Sequence, residues 1–316
     1  MTGEGVSVVT VTLNPAIDQT LSIPGFGAGR VNRVAESRSN AGGKGVNVAC
    51  FLADLGVETV ATGFLGAENA GLFEAAFAER GIADRFVRIP GSTRVGIKIV
   101  DDQTRETTDI NFPGLTPAAA DLDELLARIA ALAEPGRWFV LSGSVPAGVP
   151  DGIYAGLIES IHARCGRVVL DTSGRPLREA LASRPEVMKP NVEELGELVG
   201  RTLDGPAAVR AAGESLLDRG AERVVVSMGG DGALFLERGQ ALLAHPPRVE
   251  VRSTVGAGDA MVAGIVYGML HGQPLADLAR TATASGAYAV TRIGAGIEDR
   301  DEHRKLIEGV EIEALG

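Results

Sequence analysis

The sequence predicts an α/β fold, with a mainly parallel sheet carrying helices on both faces. Three observations point there. Apolar runs of strand length alternate with amphipathic helical patterns along most of the 316 residues. The runs are continuously apolar, as strands buried on both faces are. Two polar, glycine-containing stretches, 17–40 and 93–112, break the alternation and read as antiparallel pieces of a small β-sheet lid over one end of the main sheet.

In chain order, Val6–Leu13 is the first strand. Ser7, Thr10 and Thr12 interrupt it and no basic region precedes it, so it reads as a buried strand rather than a signal peptide. Val46–Leu55 is helical, Thr59–Phe64 a strand and Leu72–Glu79 a helix. Within 93–112 two strands meet at a turn near Asp101–Thr104. Ala118–Ala133, Ile153–Ala163 and Ala207–Arg219 continue the helices, and Trp138–Ser142, Val168–Asp171 and Arg223–Ser227 the strands. A late β segment, Gly232–Glu237, Ala241–His245 and Arg248–Arg252, leads into the final helices. The apolar helix near Ala260–Leu270 is far short of the ~20 residues that span a bilayer. With no repeat, linker or low-complexity tract, residues 1–316 read as one domain with the two lid segments inserted.

Hydrophobic residues make up 45% of the chain, enough for a sizeable core. Lys plus Arg is 30 against 41 Asp plus Glu, a net charge of −11. That field disfavours nucleic acid and anionic membranes, and a phosphorylated ligand would need a local basic cluster. Cys50 and Cys165 lie far apart in apolar segments and read as buried free thiols of a reducing compartment. The four histidines show no metal-ligand spacing and read as surface or loop residues. A cytoplasmic location is expected.

Four segments are candidates for chemistry. In Ser253–Met269 a helix starts near Gly258, and Gly256, Ala257 and Gly258 leave their N–H groups open to an anion at its positive end. Asp259 beside them fits two readings: it complements the helix dipole, or it takes a proton from a hydroxyl attacking a bound phosphate. Asn40–Asn47 is a glycine-rich turn into a helix that fails the Walker pattern, since Gly45 follows Lys44 where Ser or Thr is required. Lys44 and Asn47 offer polar reach from it. In Met188–Leu195, Asn191 and Glu194 fit a capping box; they also fit a site where Glu194 organises Mg²⁺ through water beside Lys189. Ser227–Gly232, SMGGDG, suits either a nucleotide at the carboxyl edge of a parallel sheet or a plain hairpin turn.

Taken in order, NPAID, GGKGVN, TRVGIKI, SGSVP, LDTSG, KPNVEEL, SMGGDG and VGAGD resemble the ribokinase-like sugar kinases, specifically the phosphofructokinase B group. The match runs from residue 12 to residue 296. It implies a ribokinase-like three-layer α/β/α sandwich with a small β-sheet lid, ATP and Mg²⁺ as cofactors, and a homodimer through the lid. It also implies roles: Asp259 as catalytic base beside the anion hole Gly256, Ala257 and Gly258; Asp18, Gly42, Gly43 and Asn47 on the sugar. Lys189, Asn191 and Glu194 correspond to the phosphate and Mg²⁺ segment, Ser227, Gly229 and Gly232 to ATP contacts, and Thr283 with Ser285 to the adenine pocket. TDINFPG at 108–114 brings the resemblance closest to kinases of fructose 1-phosphate, with tagatose 6-phosphate kinases and 6-phosphofructokinases next. Arg94 corresponds to the substrate-phosphate arginine, with Arg30 and Lys44 as companions. Gly96 departs from the group's usual Asn, and Ser253 stands where ribokinase has an aspartate near its monovalent-cation site.

Overall fold

A computed structural model describes residues 8–101, 103–104 and 106–315. Val6 and Ser7 of the expected first strand, and Asp102 of the expected turn, lie outside them. The chain enters through β1 (Val8–Thr12), then builds β2 (Ala16–Ser22) and β3 (Glu36–Gly42) of a separate sheet. Helix α1 (Lys44–Asp54) returns it to β4 (Thr59–Gly66), followed by α2 (Gly71–Arg80) and the short strands β5 (Ala83–Asp84) and β6 (Val87–Ile89). Next come β7 (Val95–Asp101), β8 (Glu106–Asn111), α3 (Ala119–Leu132), β9 (Trp138–Ser142), α4 (Ile153–His162) and β10 (Arg167–Asp171). Then α5 (Gly174–Ala180), β11 (Val187–Met188), α6 (Val192–Val199), α7 (Gly205–Asp218) and β12 (Arg223–Ser227) lead to the hairpin β13 (Ala233–Glu237) and β14 (Gln240–His245). The chain ends with α8 (Ala257–Leu270), α9 (Leu275–Val290), α10 (Arg300–Glu308) and β15 (Glu311–Ala314).

Among the described residues the main sheet has eleven strands in the order β15-β14-β13-β12-β11-β10-β9-β1-β4-β5, with β6 also on β4. Pairing is parallel from β12 to β5 and antiparallel from β12 to β15. Alternation within each central strand explains the continuous apolar runs. Val9, Val11, Phe139, Leu141, Val224 and Val226 pack with α3, α4 and α7 on one face. Val8, Trp138, Val140 and Val225 pack with α1, α8 and α9 on the other. A fully buried Val, Leu or Phe contributes ~1.5–3 kcal/mol relative to leaving it exposed, so both layers are held strongly. The three-layer α/β/α architecture is the one the sequence predicts.

The second sheet has four strands in the order β3-β2-β7-β8. Strand β2 runs antiparallel to β3 and parallel to β7, which pairs antiparallel with β8. The segment between β2 and β3 is not strand, although it falls within the expected 17–40 span.

Several expectations need correction. Arg248–Arg252 forms no strand. Pro246 and Pro247 directly before it lack the N–H a ladder needs, and β14 instead pairs with β15. Cys50 is buried, but Cys165 is exposed in a tight turn at φ 58°. His303 is buried in the α9–α10 contact, stacked edge-on against Tyr288. No helix among the described residues is long and apolar enough to cross a membrane.

Candidate active site

The carboxyl ends of β1, β9, β10 and β12 share one edge of the main sheet, and α1 and α8 begin there. Helix α8 starts at Ala257, one residue earlier than expected, with Gly256 as N-cap at φ 81°. That left-handed backbone strains any residue with a Cβ, so glycine is the residue that can aim these amides outward. Asp259, third in the helix, makes no capping bond to its own N-terminus. Its Oδ2 accepts a hydrogen bond from Asn47 Nδ2 at 2.8 Å, across 212 residues of chain. Asp259 is only 6% exposed. Burial, reinforced by the charge of Asp171, pushes its carboxyl up to about 6, while Asn47, Lys44 and Lys189 pull the other way. No described residue hydrogen-bonds its Oδ1. A helix-dipole complement would not need these features; a proton acceptor would.

Asp171, at the end of β10, links two lysines. Lys44 Nζ lies 3.2 Å from Asp171 Oδ2 and Lys189 Nζ 3.1 Å from Asp171 Oδ1. Burial alone would raise the Asp171 carboxyl, but Lys189 and Lys44 outweigh it and hold it below its ordinary value. Burial alone would likewise lower Lys44, and Asp171, Asp259 and Glu194 turn the net shift upward. The sequence reading placed Lys44 on the substrate phosphate; the structure places it with Lys189 beside Asp259. It also missed Asp171 as a functional candidate, and the available signal was LDTSG, an acid ending an apolar strand. Lys189 is 4% exposed, and its ammonium would lie 3.5 Å from a Cβ placed on Gly258. Its charge therefore sits against the amides at the start of α8.

Around this centre the remaining candidates divide. Asn191 and Glu194 form a reciprocal capping box on α6, with Asn191 Oδ1 accepting from the Glu194 N–H at 2.7 Å and Glu194 Oε2 from the Asn191 N–H at 2.9 Å. An isolated bridge joins Asn191 to Ser227, which brings the lysine segment next to SMGGDG. Gly229 opens on free space, whereas a Cβ on Gly232 would meet the Ala244 carbonyl oxygen at 2.0 Å. Gly232 therefore serves close packing against β14. Thr283 is buried with its hydroxyl unpartnered. Ser285 is buried, and its hydroxyl donates to Thr281 O at 2.8 Å and lies 3.0 Å from His303 Nε2.

On the small sheet, Asp18 stands in register between Asn40 of β3 and Gly96 of β7. A Cβ on Gly42 would lie 2.4 Å from Asp18 Oδ2, so only glycine lets that carboxylate sit there. Gly43 is the N-cap of α1 and leads to Asn47 in its first turn. Burial raises the Asp18 carboxyl, partly offset by Lys98 and Arg94. Arg94, just before β7, has a buried Nε without a hydrogen-bond partner. Arg30 is not brought to this group. It is exposed in the connection between β2 and β3 and lies against Gly27 of that same loop. A cavity of about 300 Å³ continues along this face, between Thr20, Ser22 and Arg38 of the small sheet and Arg252, Arg292 and Glu298 of the body.

The donor set suits a Mg²⁺ carried by a nucleotide better than a resident metal. Among the described residues no three His, Cys, Asp or Glu side chains group as metal ligands. Mg²⁺ commonly keeps most of its waters and uses one or two carboxylates plus phosphate oxygens. Glu194, whose capping bond uses only one of its two carboxylate oxygens, fits that pattern, whereas Asp171 is already neutralised by two lysines.

A family model described as pfkB family carbohydrate kinase matches residues 5–302. The chain is 47% identical over 309 residues to the 1-phosphofructokinase of Rhodobacter capsulatus, covering 98% of each. It is similar to the solved structure of phosphofructokinase-2 from Escherichia coli in complex with substrates and products, with TM-score 0.91, 30% identity, and 96% of this chain and 99% of that one covered. The tetrameric inhibited form of that Escherichia coli enzyme gives a TM-score of 0.88 at 30% identity, covering 96% of this chain and 98% of that one.

Proposed function

The chain belongs to the pfkB family of carbohydrate kinases, and on that premise we propose that it transfers the γ-phosphoryl group of ATP to the 6-hydroxyl of D-fructose 1-phosphate, yielding ADP and D-fructose 1,6-bisphosphate. The observation that carries the mechanism is the carboxylate of Asp259, buried, held by Asn47 through one oxygen and with the other unpaired at the start of α8. That oxygen accepts the proton of the 6-hydroxyl as the hydroxyl oxygen attacks the γ-phosphorus.

The amides of Gly256, Ala257 and Gly258 stabilise charge on the transferred group, and Lys189 against Gly258 adds a fixed positive charge. Lys44 shares Asp171 with Lys189, so this reading moves it from the sugar phosphate to the triphosphate side of the site. Asp18, Gly42, Gly43 and Asn47 orient the sugar hydroxyls, and Arg94 holds the 1-phosphate. Asn191, Ser227, Gly229 and Thr283 line the nucleotide path, while Gly232 and Ser285 support it from behind. Glu194 is the residue that would hold a Mg²⁺ through water, and the ion would supply charge neutralisation to the phosphates. The small sheet closes over the sugar so that water does not take the phosphoryl group. The reading includes a homodimer through that sheet and a cytoplasmic location, where ATP and sugar phosphates are available.

The test is an ADP-release assay with fructose 1-phosphate, fructose 6-phosphate and tagatose 6-phosphate. Fructose 1-phosphate is expected to give the highest kcat/KM. A higher value for either rival would reassign the substrate, and no ADP release with any of them would leave a binding protein that kept the fold.

A further inference from the structure

The register of the small sheet sorts its side chains into rows on one face. Asn40, Asp18, Gly96 and Asn111 form one row; Arg38, Thr20, Lys98 and Asp109 form the next. Lys98 therefore stands beside Asp18 on the same surface. Its ammonium is 3.9 Å from Asp18 Oδ1 and 3.8 Å from Asp109 Oδ1. Both distances allow charge attraction and both are too long for a hydrogen bond. The side chain is only 17% exposed, yet no described residue accepts a hydrogen bond from it. An ammonium has three donors, and leaving them unused in a partly buried place is costly. The two carboxylates hold the charge in position without satisfying it.

Arg94 precedes Gly96 by two residues and Lys98 follows it by two, so alternation along β7 points all three positions the same way. Gly96 adds no side chain between the cations. A Cβ there would already lie 3.3 Å from Asp18 Oδ1 and 3.4 Å from Asn111 Oδ1. Gly96 itself lies buried against Asp18 and Asn111, and a cation stands on either side of it along the chain, each carrying unspent donors. The other candidate cations are occupied or distant, with Lys44 bonded to Asp171 and Arg30 folded onto its own loop.

We infer that Lys98 is a second ligand, together with Arg94, of the phosphate group already on the sugar, and that it makes this site prefer a phosphorylated substrate. The inference rests on the sugar-phosphate reading above. A phosphate dianion offers acceptor oxygens to all three ammonium donors, and the shift from long ion pairs to charge-assisted hydrogen bonds is made only when it arrives.

The test is calorimetric titration of fructose 1-phosphate into the wild-type protein, Lys98→Gln and Lys98→Arg, with KM for the sugar phosphate and for ATP measured alongside. Lys98→Gln should weaken sugar-phosphate binding by about 10- to 100-fold, the worth of a hydrogen bond to a charged group, and leave KM for ATP unchanged. Lys98→Arg should recover most of the loss. Binding within twofold of wild type in Lys98→Gln would overturn the proposal. So would a rise in KM for ATP in step with the sugar, which means that Lys98 supports the site as a whole, or an arginine variant no better than the glutamine one, which means that a cationic donor at position 98 is not what holds the phosphate. Should the wild type prefer another sugar phosphate, the substrate assignment fails alone, and titrating that sugar phosphate into the same variants decides on Lys98.

Discussion

The carboxylate of Asp259 keeps its charge against its surroundings, and that has two measurable consequences. Burial lifts its folded-state value to about 6, above the ~3.9 of an unfolded chain. The folded protein thus binds this proton more tightly than the unfolded one. The stabilisation is fully present below about pH 4 and is lost as the pH rises through about 6. Asp259→Asn keeps an oxygen to accept from Asn47 and removes the charge. It should be more stable than wild type at pH 7.5 by ~1–3 kcal/mol, with the gain vanishing near pH 4, as thermal unfolding at both pH values would show. Activity should move the other way. Wild-type kcat/KM should fall below pH about 6 as the base is protonated, and Asp259→Asn should lose at least ~100-fold in kcat while still binding ATP. Near-wild-type turnover in that variant would remove Asp259 from its role.

Helix α6 joins two readings that the sequence left open. Its capping box is formed on both sides, so Glu194 has a structural task whatever else it does. Glu194→Gln separates the tasks, because glutamine still accepts from the Asn191 N–H but carries no charge. Its stability should stay within ~0.5 kcal/mol of wild type, while the Mg²⁺ concentration for half-maximal activity should rise about 10-fold, as for residues that act through a metal's outer sphere. An unchanged Mg²⁺ requirement would leave Glu194 as a cap only. The same contrast separates what the sequence made legible. Trp138–Ser142 and Arg223–Ser227 match their strands residue for residue because uninterrupted apolar runs permit no other buried role. Strands β5 and β11 escaped notice because two residues carry no period. Asp171 and Lys98 escaped because their meaning lies in partners elsewhere on the chain: Lys44 is 127 residues from Asp171, and no spacing rule connects them. Ser285 is assigned to the adenine pocket by the family resemblance alone, and its contact with the buried His303, 18 residues away, is one that no local pattern signals.

Across the whole molecule, the body has buried its apolar surface in two layers, whereas the small sheet packs Ile17 and Ala41 against the body and leaves its β8 end exposed. One of its faces carries Asp18, Thr20, Lys98 and Asn111 toward the site. Alternation puts Ile97 and Ile110 opposite each other on the other face. Ile110 is 43% exposed there, and Phe112 just beyond β8 is 50% exposed. Strands β3 and β8 are also unpaired on their outer sides among the described residues. Exposed apolar surface next to open strand edges invites association, and a second copy of the same sheet offers matching apolar surface under a two-fold axis. Ile110→Asp would place a charge in that contact without touching the face that carries Asp18. Light scattering after size exclusion should show a dimer for the wild type and a monomer for the variant. Because the sheet also shapes the sugar site, KM for the sugar phosphate should rise in the variant more than KM for ATP. A monomeric wild type, or a variant that remains dimeric, would place the subunit contact elsewhere.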